Sequence, residues 1–130
     1  MVKLILITHG NLGDSLLDTA SVICCCAKQN ITTFSVTGKI DLDELEIRIK
    51  ASCAKDSALI MVDSFGGTSS NIALKCAAEN NKISVVCGVN LNMVLAALNN
   101  QDKLNLKELT AKIIADGKKA ILEATELIKK

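Results

Sequence analysis

One repeated pattern, a strand-like run followed by a helix-like stretch, limits what this chain can fold into more than any other feature. Val2 to Thr8 is an apolar run of the kind found in a strand buried on both faces. From Asp14 to Lys28 the residues Leu16, Leu17, Ala20, Ile23, Cys24 and Ala27 recur at helical spacing. The β-branched stretch Ile31 to Val36 reads as a second strand, and Thr37-Gly38 turns the chain. Asp41 and Glu44 then have capping-box spacing, opening a helix whose buried face is Leu42, Leu45, Ile49 and Cys53. A third strand covers Ala58 to Asp63. After it, Ser69 or Ser70 is placed to cap a helix that buries Ile72, Ala73, Cys76 and Ala77. The fourth strand, Ile83 to Cys87, leads through Gly88-Val89-Asn90 into a short helix with Leu91, Val94, Leu95 and Leu98. Asn105 and Glu108 mark one more helix start. Leu106 to Lys130 is largely helix-patterned, with Gly117 as an interruption.

Four βα units in succession predict an α/β fold. The expected form is a doubly wound, mostly parallel sheet of four strands in the order 2-1-3-4, with helices on both faces. No linker, low-complexity tract or repeat divides residues 1–130, so a single domain is expected. Its core must be aliphatic, because aromatic residues are 2% of the chain and Trp and Tyr are absent. A net charge of +1 and the lack of stacking rings argue against nucleic-acid binding. Apolar runs fall well short of the ~20 residues that a membrane span requires. Met1-Val2-Lys3 enters the first strand without a signal-peptide pattern, which points to the cytoplasm. The six cysteines (Cys24, Cys25, Cys26, Cys53, Cys76 and Cys87) have no metal-site spacing, and read as small buried hydrophobes in a reducing compartment.

His9 is the only histidine and stands at the mouth of the first strand. In such sheets ligands bind beyond the carboxyl ends of the strands, where the order reverses. His9 after strand one and Asp63 closing strand three would face one crevice there. Two glycine-containing loops, "HGNLG" and "DSFGGTSS", meet at the same edge, and each feeds a helix. Gly10, Gly13, Gly66 and Gly67 let backbone amides approach a ligand, and helix starts favour an anion such as phosphate. An imidazole beside a phosphate cradle suggests a phosphoryl acceptor, with Asp63 holding one ring nitrogen and leaving the other to attack. An anion-binding module that is never phosphorylated is the alternative from a different class. Histidine phosphatases and small tetrapyrrole chelatases need further histidines, and response-regulator receivers need an acidic pair where this chain has Thr8-His9. Leu12, Phe65, Leu91 and Met93 lie in or just after the loops at this edge. They either cover their own helix ends or form an apolar collar for partner proteins.

The segments "ILITHGNLGDSLLDTA", "VTGKIDLDEL", "MVDSFGGTSSNIAL" and "GVNLNMVLAAL" carry a further indication. Through them the chain resembles, nearly end to end, the enzyme IIA components of the mannose class of the bacterial sugar phosphotransferase system. The resemblance implies that His9 is phosphorylated, that Asp63 is its hydrogen-bond partner, and that Ser64, Gly66, Gly67 and Thr68 surround the phosphate. It implies phosphate arriving from the histidine-containing phosphocarrier protein and leaving to a IIB partner for sugar uptake. No metal or organic cofactor is implied, and the membrane is involved only through a transporter complex. A regulatory role through phosphorylation state, or phosphate donation to a dihydroxyacetone kinase, is the alternative within the resemblance. It also implies a homodimer and an antiparallel edge strand near the C-terminus, whereas the residues "KKAILEATELIKK" themselves read as helix. Phe65 stands where many members carry tryptophan, and Ser69 and Asn92 where proline is usual; these departures bear on the docking surface and the cognate partner.

Overall fold

Alternation along the strands divides the core into two layers, one on each face of the sheet. The computed structural model describes residues 1–130 apart from Cys26, Ala54 and Lys130. Strands β1 (Lys3–His9), β2 (Ile31–Val36), β3 (Ala58–Val62) and β4 (Ile83–Cys87) form one sheet. Their order is β2-β1-β3-β4 and every pairing is parallel, as the sequence led us to expect. Leu4 and Leu6 of β1, with Leu59 and Met61 of β3, point to one face. There they meet α1 (Leu12–Ile23), α5 (Leu91–Asn100) and α6 (Leu106–Lys119) through Leu17, Val94, Leu109 and Ile113. Ile5, Ile7, Ile60 and Val62 are one residue out of phase and point to the opposite face. They pack against Leu45 and Ile49 of α3 (Leu42–Ser52) and Ile72 and Cys76 of α4 (Thr68–Ala78). The central strands β1 and β3 are thus covered on both sides, which is why their sequences are unbroken apolar runs. Each fully buried aliphatic side chain contributes about 1.5–3 kcal/mol by its transfer from water.

Side chains cap the starts of α3, α5 and α6. Asp41 accepts from the amides of Asp43 and Glu44, and Asn105 and Glu108 complete a reciprocal capping box at α6. Four local expectations fail. The helix expected from Asp14 to Lys28 ends at Ile23; Cys24 is extended, and α2 (Ala27–Asn30) follows as a separate turn. Cysteine is a poor helix former, and the break falls where three stand in a row. Neither Ser69 nor Ser70 caps α4, because Gly67 occupies that position and both serines lie in the first turn. Leu42 does not join the buried face of α3, being the first helical residue and 47% exposed. Gly117 does not interrupt α6, which continues to Lys119.

Beyond α6 the chain is irregular over residues 121–123 and then forms a 3-10 helix, Ala124–Ile128. The described residues contain neither the fifth, antiparallel strand nor a continuous helix toward Lys130, which itself lies outside them. A short helix in water needs an apolar face to bury. Ile121, Leu122, Leu127 and Ile128 are all exposed in the single chain. The cysteines divide as well. Cys53 and Cys76 are buried, and burial pushes both thiols up, Cys76 to about 11. Cys24 and Cys87 are half-buried and Cys25 is exposed, so burial does not describe the set; Cys26 lies outside the described residues.

Candidate functional site

Because β1 and β3 are neighbours, the residues at their carboxyl ends emerge side by side. His9 is the last residue of β1 and Asp63 the first after β3. The His9 backbone N–H donates to Asp63 Oδ2 at 2.9 Å, and His9 Nδ1 lies 2.8 Å from the same oxygen. The other carboxylate oxygen, Oδ1, accepts the Ser64 N–H at 3.0 Å. The Asp63 side chain is 13% exposed and the His9 side chain 50%, so the acid is sheltered while the ring faces outward. Burial opposes ionisation of Asp63, but the His9 amide, ring hydrogen bond and charge outweigh it and hold the carboxyl below its ordinary value. An ionised carboxylate can only accept. In a neutral imidazole Nδ1 then carries the hydrogen, and Nε2 presents the lone pair.

The loops around this pair are tied down from within. Thr8, fully buried, accepts the Gly13 N–H on its hydroxyl at 2.7 Å and so fixes the turn that follows His9. Gly10 and Gly66 have φ of 54° and 91°, which only glycine adopts without strain. Their amides are already engaged, Gly10 with the Val36 carbonyl at 3.0 Å and Gly66 with Ser70 Oγ at 2.9 Å. Gly67 passes against the imidazole: a Cβ there would sit 3.1 Å from His9 Cε1 and 3.7 Å from Nε2. The amides of Thr68, Ser69 and Ser70 precede the first intrahelical bond of α4, from Asn71 to the Gly67 carbonyl. That first turn carries no acidic residue, whereas the first turn of α1 holds Asp14, whose carboxylate accepts from Thr33 Oγ1 at 2.6 Å. Of the two helix starts, α4 is the better anion cradle.

The structure brings His9, Asp63, Ser64, Gly67 and Thr68 together, with Gly10 and Gly66 shaping the loops. It splits the expected apolar collar. Phe65 is 80% exposed and Leu12 is exposed too, but Met93 is buried in the core and Leu91 packs half-buried against it. Met93 is held inward because Gly117 of α6 leaves room for it, and Asn90 joins the two helices by donating to the Gly117 carbonyl. Leu42 stands at the edge instead. With Val36, Ile40, Thr68 and His9 it lines a cavity of about 290 Å³ beside the imidazole. Its position directly after the Asp41 cap was the available signal, since a first-turn residue projects from the end of the helix. Ser69 was also missed as a site residue. Read as a cap and as a departure from the usual proline, it is fully buried with its Oγ 3.3 Å from His9 Nδ1.

The model of the fructose IIA component of the phosphotransferase system matches residues 3–114. The fructose-specific EIIA component of Bacillus subtilis (strain 168) is 27% identical over 135 residues, covering 100% of this chain and 91% of that protein. Among solved structures, a phosphotransferase-system EIIA component from Streptococcus agalactiae superposes with a TM-score of 0.89 at 21% identity, covering 97% of this chain and 99% of that one. A mannose/sorbose-specific IIA subunit from Enterococcus faecalis gives a TM-score of 0.79 at 25% identity, covering 94% and 93%. The structural likeness carries the sheet order and its helices, and the family match runs from β1 well into α6, across both loops of the crevice. On that span, the chain belongs to the fructose/mannose IIA family of the phosphotransferase system, whose members are phosphotransfer components of sugar uptake.

Proposed function

We propose that His9 is the phosphoryl acceptor, taking phosphate from the histidine-containing phosphocarrier protein and passing it to a IIB partner. The observation that carries this reading is the 2.8 Å contact of Nδ1 with Asp63, on a ring that is half exposed. The Nε2 lone pair attacks phosphorus, a new N–P bond forms, and the N–P bond to the carrier's histidine breaks. Nδ1 keeps its hydrogen throughout. The positive charge that develops on the His9 ring faces the Asp63 carboxylate, which is held ionised for that role. The amides of Thr68 and Ser69, the Gly67 approach and the Ser64 and Thr68 hydroxyls supply the cradle. Onward transfer reverses these steps with the IIB acceptor as nucleophile.

Incubation with enzyme I, the phosphocarrier protein and phosphoenolpyruvate should add one acid-labile phosphate, and none to His9→Ala. An acid-stable product, or undiminished labelling of His9→Ala, would favour the anion-binding reading instead.

Partner proteins dock on the apolar rim formed by Leu12, Phe65 and Leu42. Truncating a protruding aromatic anchor weakens binding rather than chemistry. Phe65→Ala should raise the KM for the phosphocarrier about 10-fold while leaving kcat and the denaturation midpoint unchanged. An unaltered KM would mean that the ring merely shelters the α4 start.

A further inference from the structure

We infer that Ser69 is a positioning residue for the phosphoryl-accepting imidazole, an inference that rests on the reading of His9 as the acceptor. Its side chain is fully buried, and its Oγ lies 3.3 Å from His9 Nδ1. The same nitrogen lies 2.8 Å from Asp63 Oδ2. A neutral ring has one N–H at Nδ1, so both oxygens accept from a single hydrogen, Asp63 as the short arm and Ser69 as the long one. The two arms come from different parts of the fold. Asp63 follows β3, while Ser69 belongs to the first turn of α4. A single acceptor restrains the position of Nδ1 but leaves the ring free to tilt about that contact. A second acceptor from another element removes the tilt. The Gly67 approach to Cε1 and Nε2 bounds the remaining side. Ser69 therefore aims Nε2 along the direction of attack without touching the phosphate through its hydroxyl. Substrate-free orientation of this kind appears in kcat rather than in KM.

Ser69→Ala should lower kcat for phosphate acceptance about 3- to 10-fold, the range expected for one neutral hydrogen bond, with KM for the phosphocarrier unchanged. His9 is the only histidine, so its imidazole nitrogen and proton signals are read without assignment ambiguity. The Nδ1–H signal of Ser69→Ala should exchange faster with water than that of the native protein. Ser69→Thr and Ser69→Val share one shape and differ only in the hydroxyl; Thr should keep the native kcat to within about 2-fold while Val behaves as Ala. Equal kcat for the native protein and Ser69→Ala, with an unchanged Nδ1–H signal, would overturn the inference. If Thr and Val both fail to fold, the Ala comparison and the proton exchange still decide. Labelling of His9→Ala would instead remove the reading of His9 itself, so the two failures are told apart.

Discussion

Asp63→Asn should accept phosphate about 10²-fold more slowly than the native protein, or slower still, while remaining folded. Asp63 makes three contacts with its two oxygens: Oδ2 faces the His9 amide and ring, and Oδ1 accepts from Ser64. Asparagine has one oxygen and one N–H₂ for the same three donors. With the N–H₂ toward His9, it donates to Nδ1 and moves the hydrogen to Nε2, which leaves no lone pair to attack. With the oxygen toward His9 the tautomer survives, but the negative charge that stabilises the phosphorylated ring is gone, and Ser64 faces a donor. Both arrangements slow the reaction. In the serine-protease triad the corresponding substitution costs ~10⁴ through the wrong tautomer. The His9 ring is half exposed and, on the proposed reading, is itself the nucleophile, so a smaller loss is expected here. Stopped labelling of the two proteins by the phosphocarrier gives the ratio, and native kinetics for Asp63→Asn would reduce Asp63 to a cap on the strand end.

Gly117→Ala should destabilise the fold by about 1–2 kcal/mol, against the usual trend for a helical glycine. In an open helix this change gains roughly 0.5–1 kcal/mol. Here the new Cβ would lie 2.5 Å from Met93 Cγ and 2.9 Å from its sulfur. Cγ is in the middle of a side chain that is 4% exposed, so relief requires the whole Met93 side chain to repack toward the cavity of about 130 Å³ that it lines with Gly117. Overpacking of this kind costs about 1–3 kcal/mol. Urea denaturation should show a lower midpoint with the same slope. On a Met93→Ala background the collision disappears, and Gly117→Ala should become neutral or stabilising. Equal effects on the two backgrounds would show that the methionine yields freely and that the α5–α6 contact is not tight.

Legibility in the sequence followed the number of faces that each residue had to satisfy. β1 and β3 are buried on both sides, so "LILI" and "ALIMV" had to be continuously apolar, and strand order followed from the βα repetition. His9 and Asp63 were legible for the same reason. Each is a polar residue where such a run stops, and adjacent parallel strands bring their ends together. Helix rotation was harder to read. In "LNMVLAAL" nearly every position is apolar, so no stripe marks the core side, and Met93 was assigned to the rim although it packs inward. Leu42 erred the other way: it matches the spacing of Leu45 and Ile49 but falls in the first turn, past the edge of the sheet's cover. Ser69 was hidden because a serine at a helix start already has an ordinary explanation. Only the approach of α4 to β1 shows where its hydroxyl goes.

On the proposed reading, phosphate is expected on His9 Nε2 while Nδ1 keeps its hydrogen toward Asp63. Nitrogen-15 and phosphorus-31 spectra of the phosphorylated, isotope-labelled protein test it most directly, since a single imidazole contributes every ring signal. Phosphorus coupled to Nε2 and a protonated Nδ1 are the expected result. Phosphorus coupled to Nδ1, or to no imidazole nitrogen at all, would contradict that reading.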